Sequence, residues 1–276
     1  MGFWETYANL VRKYVNPRRD ARAVGGSVRQ GAEQAREQRG KELVAVRGRQ
    51  YRLVPIRTKV VTRDDDLDEV VRVFVQPQLQ NGDIVAISES LVAISQGRAF
   101  AMADICPGFF AKLLYPWVTN VTYGTGLGCP GSMQKAIEDV GLWRILLATL
   151  CGLTDRLTRR RGGFYRVAGE RVRSIDVRWN HPITLAGAKD YVILSPLDIE
   201  GICASLHDQT GCGVAIVDVN DVSSRVLASA GLRMPEEDLA RALRGNPAGQ
   251  SGQQTPFVLV REVAQRNCQN CNSTIL

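Results

Sequence analysis

The apolar run Val214-Ala215-Ile216-Val217 delivers Asp218 and Asn220 to one face of its end, with Asp221 just beyond. Oxygen ligands at a strand terminus suit Mg2+ or Mn2+, hard cations that take carboxylates together with phosphate oxygens. The same three residues equally suit an Asx-rich turn that hydrogen-bonds its own backbone, and the spacing alone leaves both open. Asp176, after the run Val172 to Ile175, is a further candidate ligand from a neighbouring strand.

A second candidate site lies between residues 82 and 98. A Gly82-Asp83 turn enters the β-branched run Ile84-Val85-Ala86-Ile87, which ends in Ser88, Glu89 and Ser90; a second apolar run then closes on Gln96-Gly97-Arg98. Polar side chains between two buried runs are costly unless they are paired or used on a ligand. A third candidate is the segment Gly124-Thr125-Gly126-Leu127-Gly128-Cys129-Pro130-Gly131, in which Gly126, Gly128 and Gly131 spell G-x-G-x-x-G. Such a loop lets backbone N–H groups approach phosphate at a helix N-terminus. Pro130 removes one donor, and no acidic residue ends a second strand about 20 residues on, as a dinucleotide fold requires. A phosphate cradle and a plain tight turn both remain.

His181 and His207 are the only histidines, and neither has Cys or Glu at metal spacing, so both are expected to be structural. Cys268-Gln269-Asn270-Cys271 is a single CxxC. Zinc would need two further ligands, so an inert polar tail is expected.

Three segments carry these residues. In residues 1–42, Phe3, Tyr7, Leu10 and Tyr14 fall on one face of a helix that Pro17 ends, followed by a linker rich in Arg, Gln, Gly, Glu and Ala. This arm suits an anionic membrane surface, a protein partner or its own domain. Residues 43–263 form the main domain, and 264–276 a polar Cys-containing tail. Strands are expected at 43–46, 51–56, 84–95 (one or two), 118–123, 164–168, 171–177, 190–195 and 214–217. Helices are expected from Leu67, capped by Asp64-Asp65-Asp66, at 132–153 with a break at Gly141, and at 198–210 and 236–244. Strands and helices interleave irregularly, which predicts an α+β fold with mixed sheets flanked by helices.

With 276 residues, 45% hydrophobic and 23% charged, the chain has the composition of an ordinary globular protein. Of its 35 basic residues only six are Lys. Arginine suits phosphate and carboxylate recognition through its planar fork, although such a bias also follows from coding DNA. Seven scattered cysteines and no secretory signal at the start favour a reducing cytoplasm. The longest apolar run, Ile145 to Leu153, is too short to span a bilayer. The net charge of +7 and the Arg156 to Arg161 cluster raise nucleic-acid binding, yet only Phe164 and Tyr165 accompany that cluster, so stacking readout is not expected.

Several of these pieces occur in one order: Pro55-Ile56-Arg57-Thr58, Asp65-Asp66-Leu67, Gly82-Asp83-Ile84 through Gly97-Arg98, Lys189 through Asp198, and Val214 to Val219. In this order the chain resembles the F420-0:gamma-glutamyl ligase family, over roughly residues 50 to 220. The resemblance implies an amide-forming ligase that uses GTP (or ATP) and Mn or Mg to join an amino acid such as glutamate to a carboxylate- or phosphate-bearing acceptor. It also implies a homodimer. In this reading Asp218, with Asp176, Asn220 or Asp221, holds the metal, and Arg98 is free to pair with phosphate or carboxylate. Ser88, Glu89 and Ser90 line the nucleotide or acceptor pocket, with Gln96 and Asp198 as further nucleotide contacts. The glycines Gly124, Gly126 and Gly128 lie outside the family's pattern and are nucleotide-contact candidates only as the phosphate cradle read above. Arg98 and Glu89 are the catalytic candidates. Ser90 stands where the family commonly has Lys and Gln96 where it has Glu, and the family's Ala-Gly-Val-Asp-x-Ser-Asn motif is not recognisable. A divergent homologue is therefore expected, either still a ligase or a non-catalytic relative that binds nucleotide or a protein partner.

Overall fold

The computed structural model describes residues 43–118, 126–158, 162–178, 190–220, 223–249 and 254–263. The N-terminal arm, the tail with Cys268 and Cys271, His181, Gly124, Asp221 and Arg159 to Arg161 lie outside them. The fold is α+β, and the described residues divide into two compact units, one within 60–66 and 89–197, the other within 43–59, 67–88 and 198–263.

The second unit is built on a six-stranded mixed sheet in the order β1-β2-β9-β3-β7-β8. Its strands are β1 (Leu43–Val46), β2 (Arg49–Ile56), β3 (Ile84–Ser88), β7 (Gly213–Val219), β8 (Ser224–Ala230) and β9 (Phe257–Val263). Strands β3 and β7 are parallel, and every other neighbouring pair is antiparallel. The β1–β2 hairpin closes on Arg47 and Gly48, both with positive φ (46° and 81°). A two-residue turn of this kind matches the twist of the flanking strands and favours glycine.

One face of the sheet packs Tyr51, Leu53, Ile84, Ala86, Ala215, Val217, Val258 and Val260 against Leu239, Ala242 and Leu243 of the helix α9 (Glu236–Ala242) and its end. That helix touches both edge strands, β1 and β8, so the sheet curls around it. Helix α8 (Ile199–Thr210) packs on β7 and β8. It stops at Gly211, whose N–H donates to the carbonyl of His207 at 2.8 Å. His207 is structural, as expected: its Nδ1 lies 2.6 Å from the Cys212 carbonyl oxygen. Helix α1 (Leu67–Val70) carries Asp68 and Glu69 in its first turn and continues as a wider π-helical turn over Val71–Val75.

The first unit holds a three-stranded antiparallel sheet, β4 (Ala99–Ala101), β6 (Tyr191–Ile193) and β5 (Asp176–Arg178), with β6 central. Its helices are α2 (Glu89–Ser95), α3 (Phe109–Leu114), α4 (Pro130–Val140), α5 (Leu142–Leu157), α6 (Gly163–Ala168) and α7 (Glu170–Arg173). Leu127, Met133, Ala136, Ile145, Ala148, Phe164, Ala168, Val172 and Val192 share one core.

Two expectations are corrected. Residues 84–95 are a strand and then a helix, because Leu91, Val92, Ala93 and Ile94 are all buried and a helix buried on every side has no period to betray it. The stretch 164–168 is helix rather than strand, and 171–177 begins in α7 and becomes strand only at Asp176, with Phe164, Ala168 and Val172 buried at i, i+4 and i+8. Ahead of α1, Asp65 Oδ2 accepts the N–H and the hydroxyl of Thr62 at 2.8 and 3.0 Å, closing a turn. The break at Gly141 falls where the sequence predicts it. Among the described residues, no helix is long and apolar enough to cross a membrane.

Candidate functional site

Parallel pairing of β3 with β7 sets Ser88 opposite Val217, so Asp218 lies one residue further along at the same, carboxyl, end of the sheet. Ligands of sheets with parallel strands commonly bind beyond these ends. The Ser88 N–H donates to the carbonyl of Pro256 at 2.9 Å, which fixes the end of β3. Asp218 stays in the ladder opposite Arg225 of β8. Asn220 closes the β7–β8 turn: its N–H donates to the Ser223 carbonyl at 2.9 Å, and its Oδ1 accepts the Ser223 N–H at 2.8 Å. This is the Asx-turn arrangement. Among the described residues, no three His, Cys, Asp or Glu side chains form a group able to hold a metal ion. Asp198 of the same unit is the N-cap of α8, with φ 49°, and its Oδ1 accepts the Gly201 N–H at 3.3 Å.

In the first unit, Gln96 and Arg98 both pin the segment 195–197. Gln96 Nε2 donates to the Leu197 carbonyl and Oε1 accepts the Leu197 N–H, each at 2.8 Å. A glutamate could make only the second of these bonds, because an ionised carboxylate is an acceptor alone; the departure from the family residue therefore has a local reason. Arg98 donates through Nε to the Ser195 carbonyl and through Nη2 to Asp139 Oδ1, both at 2.6 Å. Arg171 Nη2 donates to the same Oδ1, also at 2.6 Å. The Asp139 side chain is only 4% exposed, and its Oδ2 has no hydrogen-bond partner among the described residues. The expectation that Arg98 is left free for a ligand is thus corrected: two of its three nitrogens hold the fold. Glu89 and Ser90 are half-buried in the first turn of α2. Asp176 begins β5, and its Oδ2 accepts Arg178 Nε at 2.6 Å.

The glycine-rich segment enters the description at Gly126, which is buried with φ 46°; Gly128 is half-buried. Cys129 caps α4 by accepting the Ser132 N–H on Sγ at 3.4 Å. Gly131 packs so close to Met102 that a Cβ there would lie 2.5 Å from its Sδ. Close packing of the helix start therefore accounts for Gly131.

Burial also grades the thiols. It pushes the Cys203 pKa up to about 11, whereas Cys106 is exposed. At pH 8 a thiol with that pKa is roughly one part in a thousand thiolate, the reactive form. Iodoacetamide labelling of the native protein, mapped by mass spectrometry, is expected to modify Cys106 and spare Cys203; equal labelling of both would contradict the packing.

A further pair is invisible to motif reading. Asp83, fully buried, accepts Arg261 Nε on Oδ1 at 2.8 Å and Nη2 on Oδ2 at 2.7 Å, and also the Gln80 N–H at 2.9 Å. Arg261 Nη2 reaches the Gln78 carbonyl as well, at 3.0 Å. The carboxylate holds the guanidinium pKa above its ordinary value. The Gly-Asp turn is legible in the sequence; its partner 178 residues away is not.

Comparison with known proteins bears out the resemblance over part of its length. Residues 55–117, from the end of β2 past α3, match the family model described as F420-0:Gamma-glutamyl ligase. The match covers Pro55 to Thr58, Asp65 to Leu67 and Gly82 to Arg98, whereas the segments at 189–198 and 214–219 lie beyond it. No curated protein matches the chain. Over residues 55–117, then, this chain carries the domain signature of the F420-0:gamma-glutamyl ligases, a family of ligases.

Proposed function

We propose that the protein is a nucleotide- and divalent-metal-dependent ligase that forms an amide between an amino acid such as glutamate and a carboxylate- or phosphate-bearing acceptor. The observation that carries this reading is the pairing of β3, which lies inside the matched segment, with β7, which carries Asp218 one residue before its end. Asp218 would be the carboxylate that holds a cation completed by phosphate oxygens; the cation would supply charge neutralisation for the transferred phosphoryl group. Ser88 lies at the same sheet end to contact nucleotide or acceptor, and Glu89 and Ser90 follow it directly in the chain.

The chemistry is the making of one bond in two steps. The γ-phosphoryl group passes from the nucleoside triphosphate to the acceptor's carboxylate oxygen, and the nucleoside diphosphate leaves. The amine nitrogen then attacks the acyl carbon, the C–O bond to phosphate breaks, and the ammonium proton goes to solvent. Such reactions depend mostly on positioning and electrostatics. Asp218→Asn is expected to weaken metal-dependent nucleotide binding by at least about tenfold, or ~1.4 kcal/mol, with the circular dichroism spectrum unchanged. Unchanged affinity in a titration calorimeter would remove Asp218 from the site.

The alternative, a non-catalytic relative that binds nucleotide or a protein partner, is favoured by one observation. Arg98, one of the two catalytic candidates, is committed to Asp139 and Ser195, while Ser90 supplies no cation in place of the family's Lys.

A further inference from the structure

We infer that a cavity at the amino-terminal end of β3 binds a small oxyanion, a phosphate or carboxylate group, between Arg233 and Arg261. The cavity measures about 220 Å³ and is lined by Tyr51, Gly82, Asp83, Arg233, Arg261 and Glu262, among others. Pockets for drug-sized ligands run to roughly 300–1,000 Å³, so this one suits a small anion.

The charged side chains in its wall, Asp83, Glu262, Arg233 and Arg261, sum to zero, but both acids are already paired. Asp83 is matched by Arg261 through two hydrogen bonds, and Glu262 pairs with Arg49 at 3.4 Å. Arg233 is exposed and has neither an ion pair nor a hydrogen bond among the described residues. One uncompensated guanidinium therefore faces the cavity. Arg261 adds to it: Asp83 and Gln78 occupy Nε and Nη2, which leaves the Nη1 donors without a partner among the described residues. Asp83 also holds this guanidinium rigid, so little side-chain freedom is lost on binding. Guanidinium forks bind planar or tetrahedral oxyanions through paired, charge-assisted hydrogen bonds.

This site is distinct from the proposed ligase site. Ile84 lines the cavity and Ser88 marks the other end of the same strand. Four residue steps along the strand separate them, about 13 Å.

The test uses the full-length protein in EDTA, titrated calorimetrically with inorganic phosphate and with glutamate at an ionic strength matched by sodium chloride. Saturable binding of phosphate, of glutamate or of both is expected, and the pattern tells a phosphoryl group from a carboxylate. Arg233→Ala should weaken that binding roughly tenfold or more without lowering the melting temperature in the absence of ligand. Asp218→Asn should leave it unchanged. No saturable binding of either anion, or undiminished binding in Arg233→Ala, overturns the inference. Loss of binding in Asp218→Asn does so too, since it would place the anion at the other sheet end. Metal-dependent nucleotide binding is read separately, so either site can fail without the other.

Discussion

Replacing Arg261 by methionine is expected to destabilise the protein by about 3–5 kcal/mol, the usual cost of removing one partner of a buried ion pair. The reason lies in Asp83, whose side chain is fully buried and would retain only the Gln80 N–H as a donor. Methionine keeps the length of the arginine stem, so the loss is mainly electrostatic. A domain is stable by about 5–15 kcal/mol in all, which leaves this variant near the threshold of folding. The pair also ties β9 to the turn before β3, at the centre of the six-stranded sheet. Urea unfolding followed by far-ultraviolet circular dichroism measures the effect. The double variant Asp83→Leu with Arg261→Met should recover much of it, because no charge is then stranded. A loss below about 1 kcal/mol in the single variant would show that water, rather than Arg261, neutralises Asp83.

The second large effect is expected in the other unit, from Asp139→Ala. Asp139 receives both Arg98 and Arg171 on one oxygen, so its removal leaves two cations facing each other, with Arg98 only 13% exposed. Loss of the buried acceptor should again cost about 3–5 kcal/mol. Arg171 is 47% exposed, and Arg171→Ala should cost less than about 1 kcal/mol, as half-solvated pairs do. Two of the four tryptophans, Trp117 and Trp143, lie in the described part of this unit, and none lies in the described part of the other. Trp117 is half-buried, so tryptophan fluorescence during urea unfolding reports this transition. An equal cost for the Arg171 and Asp139 substitutions would contradict the assignment of Arg98 as the main partner.

The parts of the fold that the sequence reveals are those with a local signal. The strands at 43–46 and 51–56, the helix break at Gly141, the helix over 198–210 and the apolar strand of Val214 to Val217 each depend on a few adjacent residues. The central strand β9 is not among the predicted elements, since four consecutive apolar residues, Phe257 to Val260, fit a buried helix as well as a strand. Helix α2 is missed for the same reason.

The site divides along the same line. The junction of β3 with Glu89 and the strand end at Asp218 are legible because apolar runs stop abruptly at polar residues. What Arg98, Gln96 and Asp83 do is not legible. Their partners, Asp139, Leu197 and Arg261, lie 41, 101 and 178 residues away, and no spacing rule reaches so far. The six-stranded sheet also explains how Ser88 and Asp218, 130 positions apart in the chain, come to one sheet end: β3 and β7 are neighbours in it.

The most direct test of the proposed ligase chemistry is calorimetric titration of GTP and of ATP into the full-length protein, with Mn2+, with Mg2+ and with neither. Binding of one nucleotide in the micromolar range, present with metal and absent without it, is the result that a nucleotide- and metal-dependent ligase requires. No binding of either nucleotide with either metal would contradict it and leave the fold to serve another task.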